Sequence, residues 1–102
     1  MDILEYIPFR GDSPISRKEL EKRTGFSDRT NRIFIGKERR SETINPVGVI
    51  LSSSHGRGYW ISDYEPEIKE FNRELVSRMK ELQEILIHNE QFLLLKSRVE
   101  RR

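Results

Sequence analysis

Residues 29–32 read Arg-Thr-Asn-Arg, which places two guanidinium groups, a hydroxyl and a carboxamide within one helical turn. Arginine and asparagine can engage two atoms of a single purine edge at once. Three more cations follow at Lys37, Arg39 and Arg40, further along the same segment, where they suit phosphate oxygens. Beyond them, Ser52, Ser53, Ser54, His55 and Arg57 gather small donors and one guanidinium fork around Gly56 and Gly58. The chemistry open to these residues is hydrogen bonding and charge neutralisation. Each also has a plainer reading: Arg29 and Arg32 can form surface ion pairs with Asp28 and Glu38, worth little, and the serines can simply make a turn.

Bond-breaking chemistry has few candidates. The chain has no cysteine, which excludes disulfides, thiolate zinc sites and thiol nucleophiles. Of the two histidines, His55 falls in the polar loop and His88 in the last third, and neither has a nucleophile and carboxylate at triad spacing. His88 and Glu84 at i, i+4 form at most half a metal site, and a surface hydrogen bond explains the pair more simply. The Gly56-Arg57-Gly58 run is too short for a phosphate-cradling loop and precedes a strand pattern, not a helix. The expectation is a protein without catalysis, cofactor or metal.

Charge is distributed unevenly over the 102 residues. Residues 17–57 hold ten Lys/Arg against five Asp/Glu, a balance of +5. Residues 1–16 have one basic and three acidic residues (−2), and residues 63–102 have eight and nine (−1). A basic middle third points to an anionic partner. The apolar fraction is 34%, so the core must be small and association is expected to add burial. No apolar run approaches the roughly 20 residues that span a bilayer. The N-terminal segment MDILEYIPFRGD is acidic and lacks the basic region of a signal peptide. The absence of cysteine fits a reducing cytoplasm.

The elements that must position these residues can be read in order. Ile3, Leu4 and Ile7 have helical spacing until Pro8 ends it, and residues 9–14 read as a loop. Ser16-Arg17-Lys18-Glu19 fits a capping box, predicting a helix over residues 17–24 with Leu20 inward and Gly25 at the left-handed stop. Ser27 or Asp28 caps a second helix after a very tight connection. Ile33 and Phe34 are expected on its apolar face, with Ile35 as a further candidate; Gly36 either weakens it or stops it, and the longer version, to about Arg40, is preferred. Residues 47–51 and 59–61 are β-branched or aromatic runs around a polar loop, the pattern of a hairpin. Asp63 is expected to cap a last helix, with Pro66 in its first turn and no Gly or Pro thereafter.

That last helix carries a stripe. Leu75, Met79, Leu82, Leu86, Asn89 and Leu93 alternate at four and three residues, the spacing of a coiled-coil seam, and Asn89 stands where asparagine fixes register or oligomer state. Ile85, Phe92 and Leu94 widen it. Ile68 and Phe71 are expected to pack back on the hairpin. From about Leu82 onward, self-association or another partner is the better reading, since the run Phe92-Leu93-Leu94-Leu95 makes a poor monomer surface.

The segments ISRKEL, TGFSDR and SSSHGRGYWIS, followed by a long charged helix, resemble small winged helix-turn-helix proteins of phages and prophages. The resemblance covers roughly residues 14–85. It implies an α+β, mainly helical fold: a winged helix-turn-helix over residues 1–62, with a two-stranded wing, and a long C-terminal helix over residues 63–102. It implies sequence-specific binding of double-stranded DNA in a bacterial or infected cell, as a transcriptional regulator or replication-associated factor, acting as a homodimer. Arg29, Asn31 and Arg32 would then contact bases, with Thr30 beside them on the DNA-facing turn. Lys37, Arg39, Arg40 and Arg57 would contact phosphate, and Ser53, Ser54 and His55 at the hairpin tip would reach a neighbouring groove or phosphate. The family pattern has an aliphatic residue where Asn31 stands and another near Glu38, so here Ile35 or Phe34 must carry the core face. The alternative function is a docking module that holds a replication or regulatory protein through the C-terminal helix.

Overall fold

The structure, a computed structural model, describes residues 2–53, 56 and 58–100. Among these, the fold is α+β and mainly helical. A 3-10 turn, Ile3–Tyr6, precedes α1 (Arg17–Thr24), α2 (Asp28–Arg39), β1 (Val49–Ser52), β2 (Tyr59–Ser62) and α3 (Glu65–Glu100).

Local chemistry sets the helix ends. Ser16 Oγ accepts from the Glu19 N–H at 3.1 Å and so starts α1. The Glu19 carboxylate takes Arg23 Nε at 3.1 Å, one turn on. Gly25 ends α1 at φ +77°, a left-handed conformation that glycine adopts without Cβ strain, and its N–H reaches Glu21 O at 2.9 Å. Three residues separate α1 from α2. Ser27 is the cap of α2, accepting from Thr30 N–H at 3.2 Å. Asp28 N–H donates instead to Glu21 Oε1 of α1 at 3.0 Å, a side-chain tie across the connection. Helix α2 runs straight through Gly36 to Arg39.

Ile3, Ile7, Ile15, Leu20, Ile35, Ile50, Tyr59 and Ile61 form the core. One residue of α1, one of α2, one strand pair and the N-terminal segment thus meet around it. Strands β1 and β2 pair antiparallel, with Ile50 opposite Ile61 and Leu51 opposite Trp60. The second edge of β2 is also taken. Ile15 and Tyr59 exchange both backbone bonds at 3.0 and 2.9 Å, and Ile61 receives from Arg10 N–H and donates to Pro8 O, both at 2.8 Å. Residues 9–14 therefore do more than the expected loop: the N-terminal segment closes the edge of the hairpin.

Gly58 explains how the two backbones come so close. A Cβ there would fall 1.9 Å from Ile15 O, and its φ is +98°. Gly58 thus does more than punctuate the polar loop: it lets the N-terminal segment meet β2.

The expected Asp63 cap is also corrected. Ser62, fully buried, accepts the Tyr64 N–H on Oγ at 3.1 Å, while the Asp63 carboxylate bonds Arg10 Nε at 2.6 Å. Glu67, in the first turns of α3, accepts Trp60 Nε1–H on one oxygen and Ser62 Oγ–H at 3.3 Å on the other. These bonds carry the first turn of α3 into the compact unit made by Met1–Ile68, and Lys69–Arg102 forms a second unit. The division falls six residues beyond residue 62, because Glu67 belongs with the hairpin. In α3, Ile68 and Phe71 are half-buried, and every residue from Asn72 to Val99 is exposed. No helix among the described residues is long and apolar enough to cross a membrane.

Candidate nucleic-acid interface

Helix α2 has two faces of opposite character. Asn31 and Ile35, one turn apart, are each 1% exposed and define the inner face, with Phe34 packed beside them. Rotating by half a turn at 100° per residue gives Arg29, Arg32, Ile33, Gly36, Lys37 and Arg40 on the outer side. Arg29, Arg32, Ile33, Gly36 and Arg40 line one shallow groove there. Its floor at Gly36 is helix backbone. The Arg40 guanidinium lies over that glycine, with Nη1 only 3.0 Å from where a Cβ would be.

Asn31 does not belong to this outer face. Its Nδ2 donates to Phe26 O at 3.4 Å, and its Oδ1 lies 3.1 Å from Thr24 Oγ1. The Thr24 hydroxyl is also 2.9 Å from Leu20 O and accepts the Phe26 N–H at 3.1 Å. Asn31 thus fills the place of an aliphatic core residue and fastens α2 to the connection before it. A side chain so enclosed cannot reach a base edge, which corrects its assignment as a base reader. Ile33 moves the opposite way: expected on the apolar face, it is 50% exposed among the cations.

Arg39 is drawn to the hairpin. Nε donates to Ile50 O at 3.2 Å, Nη2 donates to Ser52 Oγ at 3.1 Å, and the guanidinium carbon lies 5.9 Å from the Tyr59 ring centre. The arginine joins the end of α2 to β1 and remains exposed.

The other cations remain available. Among the described residues, no carboxylate pairs with Arg29, Lys37 or Arg40. Arg32 is exposed and shares Asp28 with Arg17, at 3.2 and 3.9 Å respectively. Asp28 therefore orients Arg32 along the helix and holds part of its charge. Thr30 is half-buried, and its Oγ1 receives Ser27 Oγ–H at 3.1 Å, next to the helix start.

In the hairpin tip, Ser53 is half-buried; its N–H reaches Gly58 O at 3.4 Å and its carbonyl accepts Gly56 N–H at 3.3 Å. Ser54, His55 and Arg57 lie outside the described residues. On α3, Leu75, Met79, Leu82, Leu86, Asn89 and Leu93 are all exposed, and Leu82 is 66% exposed.

An ion pair with a short hydrogen bond, Arg10–Asp63, lies just before α3. The hydrogen bond from Arg10, reinforced by its charge, holds the Asp63 carboxyl below the usual carboxylate range against the opposing effect of burial. The same bond raises Arg10. The Arg10 guanidinium also stacks near Phe9 and Tyr64, at 5.7 and 5.4 Å from their ring centres. Among the described residues, no three His, Asp or Glu side chains group to hold a metal ion.

No family model matches this chain, and neither does any curated protein or solved structure.

Proposed function

We propose that the chain is a winged helix-turn-helix protein that binds double-stranded DNA through the outer face of α2, as a dimer joined along α3. The observation that carries the reading is that face: four cations, Arg29, Arg32, Lys37 and Arg40, lie on the side of α2 turned away from the buried Asn31 and Ile35. Helix α2 follows α1 after three residues and is followed by a hairpin, the element order of a winged helix. In this reading α2 enters the major groove, Arg29 and Arg32 take guanine edges, and Lys37 and Arg40 take phosphates. The hairpin tip, with Ser53, Ser54, His55 and Arg57, faces a neighbouring groove or phosphate.

The dimer follows from the stripe on α3. In-register parallel pairing would place Asn89 opposite Asn89, where each amide can satisfy the other within an apolar seam. Two heads would then meet symmetry-related half-sites. The biological role is that of a transcriptional regulator or replication-associated factor.

A salt titration of duplex binding tests the reading. Affinity should fall steeply with salt, and Lys37→Ala and Arg40→Ala should each lower the slope of log K against log salt by about 1. Retention of duplex at high salt as at low salt would contradict it. The exposed apolar length of α3 favours a second reading, in which α3 docks a replication or regulatory protein. Absence of duplex binding at low salt, with partner capture lost on truncation after Gln83, would favour that version.

A further inference from the structure

Ile33 is the one aliphatic side chain in the groove lined by Arg29, Arg32, Gly36 and Arg40, and half of it is exposed. Its position is not a by-product of core packing. The inner face of α2 is already filled by Asn31, Phe34 and Ile35, and Ile33 lies on the far side of the helix from Asn31 and Ile35. It is the fourth residue after Arg29 and the third before Gly36, so it stands directly above and below them along the helix. Gly36 adds no side chain of its own, and the Arg40 guanidinium lies over it, which places a cation beside Ile33 in the groove.

An occupant of this groove must be anionic around its edge and offer a small apolar group at its centre. The rim cations answer the first demand. In the major groove of DNA, the apolar group is the 5-methyl of thymine, beside the acceptor atoms of guanine that suit arginine. RNA lacks that methyl, and its deep, narrow major groove excludes side chains.

We propose that Ile33 is a specificity-determining residue that packs on the methyl group of a thymine next to a guanine engaged by Arg29 or Arg32. This rests on the DNA-binding reading above. It assigns to Ile33 a discrimination between thymine and uracil that the arginines cannot make.

The test uses the full chain and a duplex selected from a random pool, with each thymine of the site replaced singly by deoxyuridine. One replacement should weaken binding by the wild-type chain about fourfold, the equivalent of ~0.8 kcal/mol for one buried apolar carbon. Ile33→Ala should bind the thymine duplex about fourfold more weakly and show no further loss with deoxyuridine. Because Ile33 is half-exposed, Ile33→Ala should melt with the wild type, which separates a binding loss from a folding loss. A preferred site without thymine, equal wild-type affinity for both duplexes at every position, or an unchanged thymine preference in Ile33→Ala each overturns the proposal while leaving DNA binding intact. Failure of the wild type to bind any duplex at low salt overturns both.

Discussion

Single residues divide sharply into those that hold the helix pair together and those that face outward. Asn31 and Arg32 are neighbours in sequence, yet one is 1% exposed and bonded to Thr24 and Phe26, while the other is exposed beside Asp28. Substitution should separate their roles. Asn31→Ala removes a buried amide whose partners then lose their bonds, so thermal or denaturant unfolding should show a loss of about 1–3 kcal/mol. Arg32→Ala should leave unfolding nearly unchanged and relax base choice by about 1–3 kcal/mol in binding to a selected duplex. The reverse pattern would sink the assignment of the two faces. Gly58→Ala is expected to be severe, because the added Cβ would meet Ile15 O and must take a positive φ. The cap at Ser16 and the stop at Gly25 were legible in the sequence, and the cap of α2 was narrowed to Ser27 or Asp28, because each acts within three or four positions of itself. Asn31 was not. Ile33, Phe34 and Ile35 span so much of the helix circumference that the rotation of α2 could not be read from apolar residues alone. What fixes it is the polar socket at Thr24 and Phe26, which only the folded connection creates.

Elements are joined by a small number of polar struts, each linking residues distant in sequence. Arg39 ties α2 to β1, Glu67 ties α3 to Trp60 and Ser62, and Arg10 ties the N-terminal segment to Asp63. Arg39→Ala should weaken the fit of the hairpin to α2. We expect faster amide exchange in β1 and a stability loss of about 1–2 kcal/mol, since it removes bonds from a charged donor. Arg39→Lys should rescue this poorly, because an ammonium cannot span two acceptors with a planar fork. The Arg10–Asp63 bond sets a pH dependence whose sign is fixed. The Asp63 carboxyl is lowered in the folded chain, so its contribution is complete above the ordinary carboxylate value of about 3.9 and is lost as pH falls through the lowered value. Melting curves of the wild type and Asp63→Asn should therefore converge in acid and diverge toward neutrality. The element order, the hairpin and the continuity of α3 were legible from capping, β-branched runs and the lack of breakers. The closure of β2 by Ile15 and by residues 8–10 was not, since a single backbone exchange leaves no periodic trace in so short a segment.

For the molecule as a whole, a small core sits in the first unit and a long exposed stripe in the second. A helix whose residues 72–99 are exposed keeps its apolar side chains in water unless another chain covers them. Light scattering should return twice the mass of one chain, and truncation after Gln83 should return a single chain while preserving the near-ultraviolet signature of Trp60. A full-length monomer at high protein concentration would contradict the proposed dimer. The exposed apolar stripe was legible because a three-four spacing is a property of sequence; what covers it was not, since two copies and a foreign helix present the same chemistry to that stripe.

Selection from a random duplex pool at low and at moderate salt, with the mass of the bound species measured on the same sample, decides whether α2 reads DNA. Salt-sensitive enrichment of a near-palindromic, guanine-containing site bound by two chains is expected, with loss of that enrichment in the Arg29→Ala/Arg32→Ala double variant. A double variant that selects the same site with wild-type affinity, or a wild type that retains no duplex at low salt, would contradict it.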